Sequence, residues 1–213
     1  LRPVAIELDN YFVDRELSPK DENGAYDYET LGALDLALFN EQLLKLMDGQ
    51  QVQVPRYNFK TGEREPGEQL AITPDHIILV EGIHGLNPAL VPQIPPARLF
   101  RVYVSALTQL NIDRHNRVPT TDTRLVRRIV RDNATRGYTA RETIGRWEAV
   151  RAGENRNIFP YQENADVMFN SAMVYEQAEL RTYAERFLLE VPQDHPAFID
   201  ANRLLKSVSL FVP

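Results

Sequence analysis

Two short apolar runs, each closing on a carboxylate, constrain this chain more than anything else in it. Val4-Ala5-Ile6-Glu7-Leu8 closes on Asp9, and the near-continuous run from His76 to Val80 closes on Glu81. The second run has no polar alternation, as a strand buried on both faces of a parallel sheet requires. Nothing like a turn or cap precedes Val4, so the chain reads as starting partway into a fold. Leu99 to Val104 and Ala165 to Phe169 read as further strands. Helical spacing runs over Leu31–Met47, Leu107–Arg117, Thr121–Arg136, Thr139–Arg151, Tyr175–Leu189 and Phe198–Leu210. Thr139 and Glu142 have the spacing of a capping box. Strands alternating with helices predict an α/β fold with a parallel sheet. A small antiparallel excursion is expected over residues 50–73, from Gln51–Val54, Tyr57–Phe59 and Leu70–Ile72. Arg15 to Thr30, with Ser18-Pro19 and Asn23-Gly24, reads as a long loop.

The chain has 213 residues, 43% hydrophobic and 25% charged, enough to bury a core within a single domain. A formal net charge of −6 argues against general binding to nucleic acid or anionic membranes. No apolar run approaches the roughly 20 residues that cross a bilayer, and no cleavable leader is recognisable. Cysteine is absent, which excludes thiolate catalysis, disulfides and Cys-ligated zinc and fits a cytoplasmic location. His76, His84, His115 and His195 show no metal-ligand spacing.

Ligands of open parallel sheets sit beyond the carboxyl ends of the strands. Asp9 and Glu81 occupy such ends, where an acid can take a proton, hold magnesium through water or simply cap a turn. Tyr11, Tyr57 and Phe59 can stack on a base or sugar, or form a satellite core. Arginine outnumbers lysine 20 to 4, and eleven arginines fall between Arg114 and Arg156 against five acids. That bias points to phosphate, which the guanidinium fork fits, or else to a solvated helix face. Helical spacing would align Arg124, Arg127, Arg128 and Arg131 in one stripe, with Arg136 beyond it beside Gly137.

Taken in order, these segments resemble the uridine kinase and phosphoribulokinase family of P-loop kinases. Asp9-Asn10-Tyr11-Phe12 resembles its catalytic-aspartate motif. Tyr28-Glu29 with Ala33-Leu34-Asp35 resembles the segment carrying the ribose-binding acid. Val54-Pro55-Arg56-Tyr57-Asn58-Phe59, with Arg64, resembles the substrate hairpin. Ile77 to Ile83 resembles the Walker-B-like strand. Asp122-Thr123-Arg124-Leu125 and Arg127 to Asp132, then Arg136-Gly137, resemble the arginine-rich lid. The nearest resemblance is to bacterial uridine-kinase-like proteins fused to threonyl-tRNA-synthetase-like modules, through Glu81 to Asn87, Val118–Arg124 and Ile158 to Glu163.

The resemblance implies a P-loop kinase-like parallel sheet flanked by helices, a substrate hairpin over 50–73 and a helical lid region over 121–157. It implies transfer of phosphate from ATP, with Mg2+, to a small hydroxyl substrate, foremost a nucleoside 5′-hydroxyl. A nucleotide-binding regulatory module and a phosphoribulokinase-like sugar-phosphate kinase are the alternatives; the latter calls for a second anion site near Arg56 and Arg64. Asp9 would be the catalytic acid–base group and Glu81 the magnesium-holding acid. Arg128, Arg131 and Arg136 would act on the phosphates, the first two also in ATP binding. Tyr11, Glu29, Tyr57, Phe59 and Arg64 would bind substrate. A nucleoside or sugar and ATP are the implied partners, with no membrane or direct nucleic-acid contact and a homo-oligomer allowed. Three features depart from the family pattern. The G-x-x-x-x-G-K-[ST] phosphate loop does not occur in residues 1–213 and is expected just before Leu1, so these residues alone would be inactive. Gly62 stands where uridine kinases carry a base-contacting histidine. Tyr138 and Arg146 stand where they carry an arginine and a glutamine.

Overall fold

A computed structural model describes residues 1–22, 24–107 and 111–212. The chain divides into two compact units, residues 1–102 with 152–166, and residues 103–151 with 167–213.

In the first unit, β1 (Arg2–Glu7) pairs in parallel with β4 (His76–Glu81), in a register running from Arg2 opposite His76 to Glu7 opposite Glu81. Between them come α1 (Leu36–Met47) and an antiparallel hairpin of β2 (Val52–Asn58) and β3 (Glu63–Leu70). The helix starts at Leu36 rather than Leu31. Leu31–Ala33 forms a 3-10 turn, and Asp35 then caps α1 by accepting the Leu38 N–H at 3.0 Å. The core joins Ile6, Leu8 and Tyr11 to Phe39, Leu43 and Leu46 of α1 and to Val52, Leu90 and Ile94. β4 is half-buried rather than buried on both faces. Strand alternation sends Ile78 and Val80 to that core, while Ile77 and Leu79 are 43% and 49% exposed. The excursion is one two-stranded hairpin. Its second strand is Glu63–Leu70, and Leu70 is its last residue instead of the start of a third piece.

In the second unit, β5 (Val102–Ser105) pairs with β6 (Val167–Asn170). Asp166 N–H bonds Arg101 O and Ser171 N–H bonds Ser105 O, so the two strands run in the same sense. The helices are α2 (Thr120–Arg131), α3 (Ala140–Gly145), α4 (Trp147–Asn157, which continues into the first unit's residues), α5 (Glu176–Leu189) and α6 (Phe198–Val208). α2 packs on α5 and α3, and α5 on α6. Ile129, Ala184 and Leu204, fully buried, centre that core. The Thr139–Glu142 capping box is present at the start of α3. The helix expected over 107–117 is not formed across 111–117. There Asn111 and Arg117 make a bridge, and the Asp113 carboxylate accepts the N–H groups of His115 and Asn116. A side chain that satisfies its own backbone in this way competes with helix. Thr108–Leu110 lie outside the described residues. Parallel strand pairs combined with helices make the chain α/β, as its sequence pattern requires.

Candidate active site

The parallel register of β1 and β4 brings two carboxylates together, because Glu7 ends one strand opposite Glu81 at the end of the other. The chain then tightens into a 3-10 turn, Leu8–Tyr11, that carries Asp9. Asn10 anchors this turn twice. Its Nδ2 donates to Glu7 Oε2 at 3.3 Å, and its Oδ1 accepts the Tyr57 N–H of β2 at 3.2 Å. Burial, then the charges of Asp9 and Glu7, push the Glu81 carboxyl above the usual carboxylate range. Mutually repelling carboxylates of this kind favour a bound cation or a shared proton. Among the described residues no group of three metal-ligating side chains converges. One or two carboxylates suffice for magnesium, which keeps several of its waters, so Asp9 and Glu81 fit that ion.

The hairpin places its aromatic residues on one continuous face. The Tyr57 ring lies 5.2 Å from Phe59 and 5.5 Å from Phe12, and Phe12 lies 6.4 Å from Tyr28. Tyr57 is buried, whereas Phe59 and Tyr28 are partly exposed at 38% and 36%. Burial and then Tyr28 raise the Tyr57 hydroxyl, with Arg15 pulling the other way and Asp14 adding to the rise. Tyr11 does not join this face. It is 1% exposed, its ring packs edge-on to Phe39, and its hydroxyl donates to Gln42 Oε1 at 2.8 Å. Tyr11 is therefore a core residue, and its expected substrate contact is withdrawn; burial also lifts its hydroxyl to about 12. Arg64 donates to Asp35 Oδ2 at 2.7 Å, and its backbone N–H reaches Asp14 Oδ1 at 2.9 Å. Its guanidinium thus fastens β3 to the cap of α1, which weakens the case for an anion site there.

Glu29 is held by contacts that sequence spacing did not reveal. Its N–H donates to Asp27 Oδ1 at 3.1 Å, and its carbonyl accepts from Asn157 Nδ2 at 2.6 Å. Arg156 pairs with Asp27 at 3.4 Å. At Gly153 an added Cβ would come within 2.6 Å of the Glu29 Cβ, so the last turns of α4 lie flush against this segment. His84, after β4, is buried. Burial pushes its imidazole down, opposed by the backbone of Thr30 and Glu29.

In the second unit the arginines do not form a bare stripe. Arg128 Nε lies 3.3 Å from Asp132 Oδ2, while Arg131 donates Nε and Nη2 to Asp132 Oδ1 at 3.1 and 3.0 Å. Arg136 Nη1 approaches the same oxygen at 3.6 Å. Asp132 is 3% exposed and opens a π-helical turn, Asp132–Arg136, that α2 runs into. Its carbonyl also accepts the N–H groups of Gly137 and Tyr138. Three guanidiniums thus converge on one buried carboxylate. Arg127 points elsewhere, to Glu176 and the Ser171 carbonyl, and Asp122 is taken by Arg203. The flanking spacing of Arg128, Asp132 and Arg136, four residues apart on either side, was the available signal for Asp132 as the hub. Two departures from the family pattern meet each other: the Arg146 guanidinium lies 4.2 Å over the Tyr138 ring, a cation–π contact.

Comparison with known proteins finds relatives over most of the chain. Residues 5–177 match the phosphoribulokinase / uridine kinase family. A uridine kinase of Borrelia duttonii is 32% identical over 78% of this chain and 72% of its own length. One of Halobacterium salinarum is 26% identical over 92% of this chain and 83% of its own. A solved structure described as a possible uridine kinase from Bacillus stearothermophilus gives a TM-score of 0.46 at 15% identity, over 79% of this chain and 72% of that one. No helix among the described residues is long and apolar enough to cross a membrane.

Proposed function

The chain belongs to the phosphoribulokinase / uridine kinase family, a family of small-substrate kinases, and on that premise we propose that it transfers the γ-phosphoryl group of ATP to a nucleoside 5′-hydroxyl. The observation that carries this reading is the β1–β4 register, which gathers Glu7, Asp9 and Glu81 at the carboxyl ends of two parallel strands. Asp9 orients the hydroxyl and accepts its proton. Glu81 holds magnesium through water; burial and then the like charges of Asp9 and Glu7 raise its carboxyl, and a cation would offset those charges. Magnesium, when bound, neutralises charge on the phosphate oxygens. Glu29 binds sugar hydroxyls, and Tyr57 and Phe59 flank the base. Arg128, Arg131 and Arg136, gathered around Asp132, contact the phosphates. Arg64 contributes by fixing the hairpin through Asp35.

The phosphate loop is supplied from outside residues 1–213, on this reading, in a cytoplasmic protein whose further modules resemble parts of threonyl-tRNA synthetase. The test is transfer of labelled phosphate from ATP in the protein that carries this chain together with its phosphate loop. Label recovered in a nucleoside 5′-monophosphate supports the reading. Label recovered only in a sugar bisphosphate, or nucleotide binding without transfer, overturns it. Residues 1–213 alone are expected to bind magnesium–ATP weakly, and tight binding by calorimetry would refute the external loop.

A further inference from the structure

An arginine from a distant loop holds the turn of the β2–β3 hairpin. The Arg15 N–H donates to Gly62 O at 2.8 Å, and its Nη2 donates to Phe59 O at 3.1 Å. The side chain lies flat across Gly62. A Cβ at that position would sit 2.6 Å from Arg15 Cζ and Nε and 2.9 Å from its Cβ. Gly62 also has φ +80°, so glycine is required there both for its backbone and for the space above it. The guanidinium is half-buried, and among the described residues no carboxylate pairs with it, in contrast to Arg64 on Asp35. The bond to Phe59 O uses one of its five N–H groups. Its charge reaches the Tyr57 hydroxyl, and Tyr57 and Phe59 present their rings beside it.

From this arrangement we infer that Arg15 is a specificity-determining residue: it donates to a carbonyl oxygen of a base lying on the Tyr57–Phe59 face and disfavours the amino-bearing counterpart. The inference rests on the nucleoside reading above. A guanidinium only donates. A keto oxygen completes the pair, whereas an exocyclic amine sets donor against donor and leaves both without the bond.

Calorimetry of the chain with uridine, cytidine and ribose 5-phosphate separates the outcomes. Uridine is expected to bind about tenfold more tightly than cytidine, the effect of one charge-assisted hydrogen bond. R15M keeps the packing of the stem and should remove the preference by weakening uridine alone. G62A keeps the guanidinium but takes its space, and it should remove the preference as well, which covers the case in which R15M does not fold. A preference unchanged in a folded R15M or G62A would make Arg15 only a staple of the turn and overturn the inference. Equal binding of the two nucleosides by the unaltered chain would overturn it while leaving the nucleoside reading standing. Binding of ribose 5-phosphate with neither nucleoside bound would overturn both.

Discussion

The two units handle crowded like charges in opposite ways. At the strand ends of the first, burial and then the charges of Asp9 and Glu7 make Glu81 hold its proton more tightly. In the second, Arg128, Arg131 and Arg136 are gathered on one buried carboxylate, Asp132. A cation bound beside the acids would offset their charge, whereas the arginines are already gathered on a carboxylate that the fold supplies. A cation therefore stabilises the first unit where it binds. An anion reaching the second must share the guanidiniums with Asp132. Removing an acid should thus relieve the first unit, and removing Asp132 should loosen the second.

The largest effect separates chemistry from this electrostatic background. In the protein carrying its phosphate loop, D9N keeps the shape of the side chain but removes its charge and basicity. Turnover should fall by about 10²–10⁴, the range of general acid–base groups, with ATP affinity little changed. Single-turnover kinetics measures it. Near-normal turnover would leave Asp9 as one more repelling charge, and the strand-end acids would be structural.

The next effect breaks the arginine side of the comparison. D132N keeps the hydrogen-bonding shape but leaves three guanidiniums around a neutral amide. Breaking a buried ion pair costs more than breaking a surface one, but the three partners are partly solvated. A loss of about 2 kcal/mol is expected, roughly 4–8 °C in Tm for a chain of this size. Pyrophosphate should recover part of the loss in D132N and give less stabilisation to the unaltered chain. Calorimetric melting with and without the anion decides it. Unchanged melting would mean that the arginines hold one another apart through solvent, without help from Asp132.

How far this contrast could be read from the sequence follows from which interactions are local. The strand ending on Glu81, the strand ending two residues before Asp9, the capping box at Thr139 and the helices other than the one expected over 107–117 rest on short-range pattern, and they are present in the structure. β3 was hidden because Glu63 to Leu70 is polar and largely exposed, held by its backbone pairing with β2 instead of by apolar alternation. Tyr11 looked like a loop aromatic because nothing nearby in sequence announces Phe39 and Gln42, about 30 residues on, as its partners. Asp132 was half legible: its spacing from Arg128 and Arg136 is local, but its burial is a tertiary property. The contacts of Glu29 with Gly153 and Asn157 span more than 120 positions, beyond the reach of any local pattern.

The smallest effect tests the sign of the charge contrast within the first unit, where Glu81 and Asp35 respond to acid in opposite directions. Burial, then Asp9 and Glu7, raise Glu81 above its unfolded value. Its contribution to stability is therefore complete below that unfolded value and is lost as pH rises through the folded one. Burial also pushes Asp35 upward, but the Leu38 N–H and the Arg64 guanidinium outweigh it and hold the carboxyl low. Its contribution is complete above its unfolded value and is lost as pH falls through the folded one. Acidifying from neutrality should first relieve Glu81 and then, below about pH 4, cost the Asp35 contacts. E81Q should thus melt slightly higher than the unaltered chain at pH 7, with the gap closing as Glu81 protonates. D35N should melt lower at pH 7 and lose less on acidification. Melting curves from pH 7 to pH 3 measure both limbs. If E81Q instead melts lower at pH 7, Glu81 is held by favourable contacts. The strand-end carboxylates would then be compensated by the fold, as the arginines are, and the opposition between the two units would disappear.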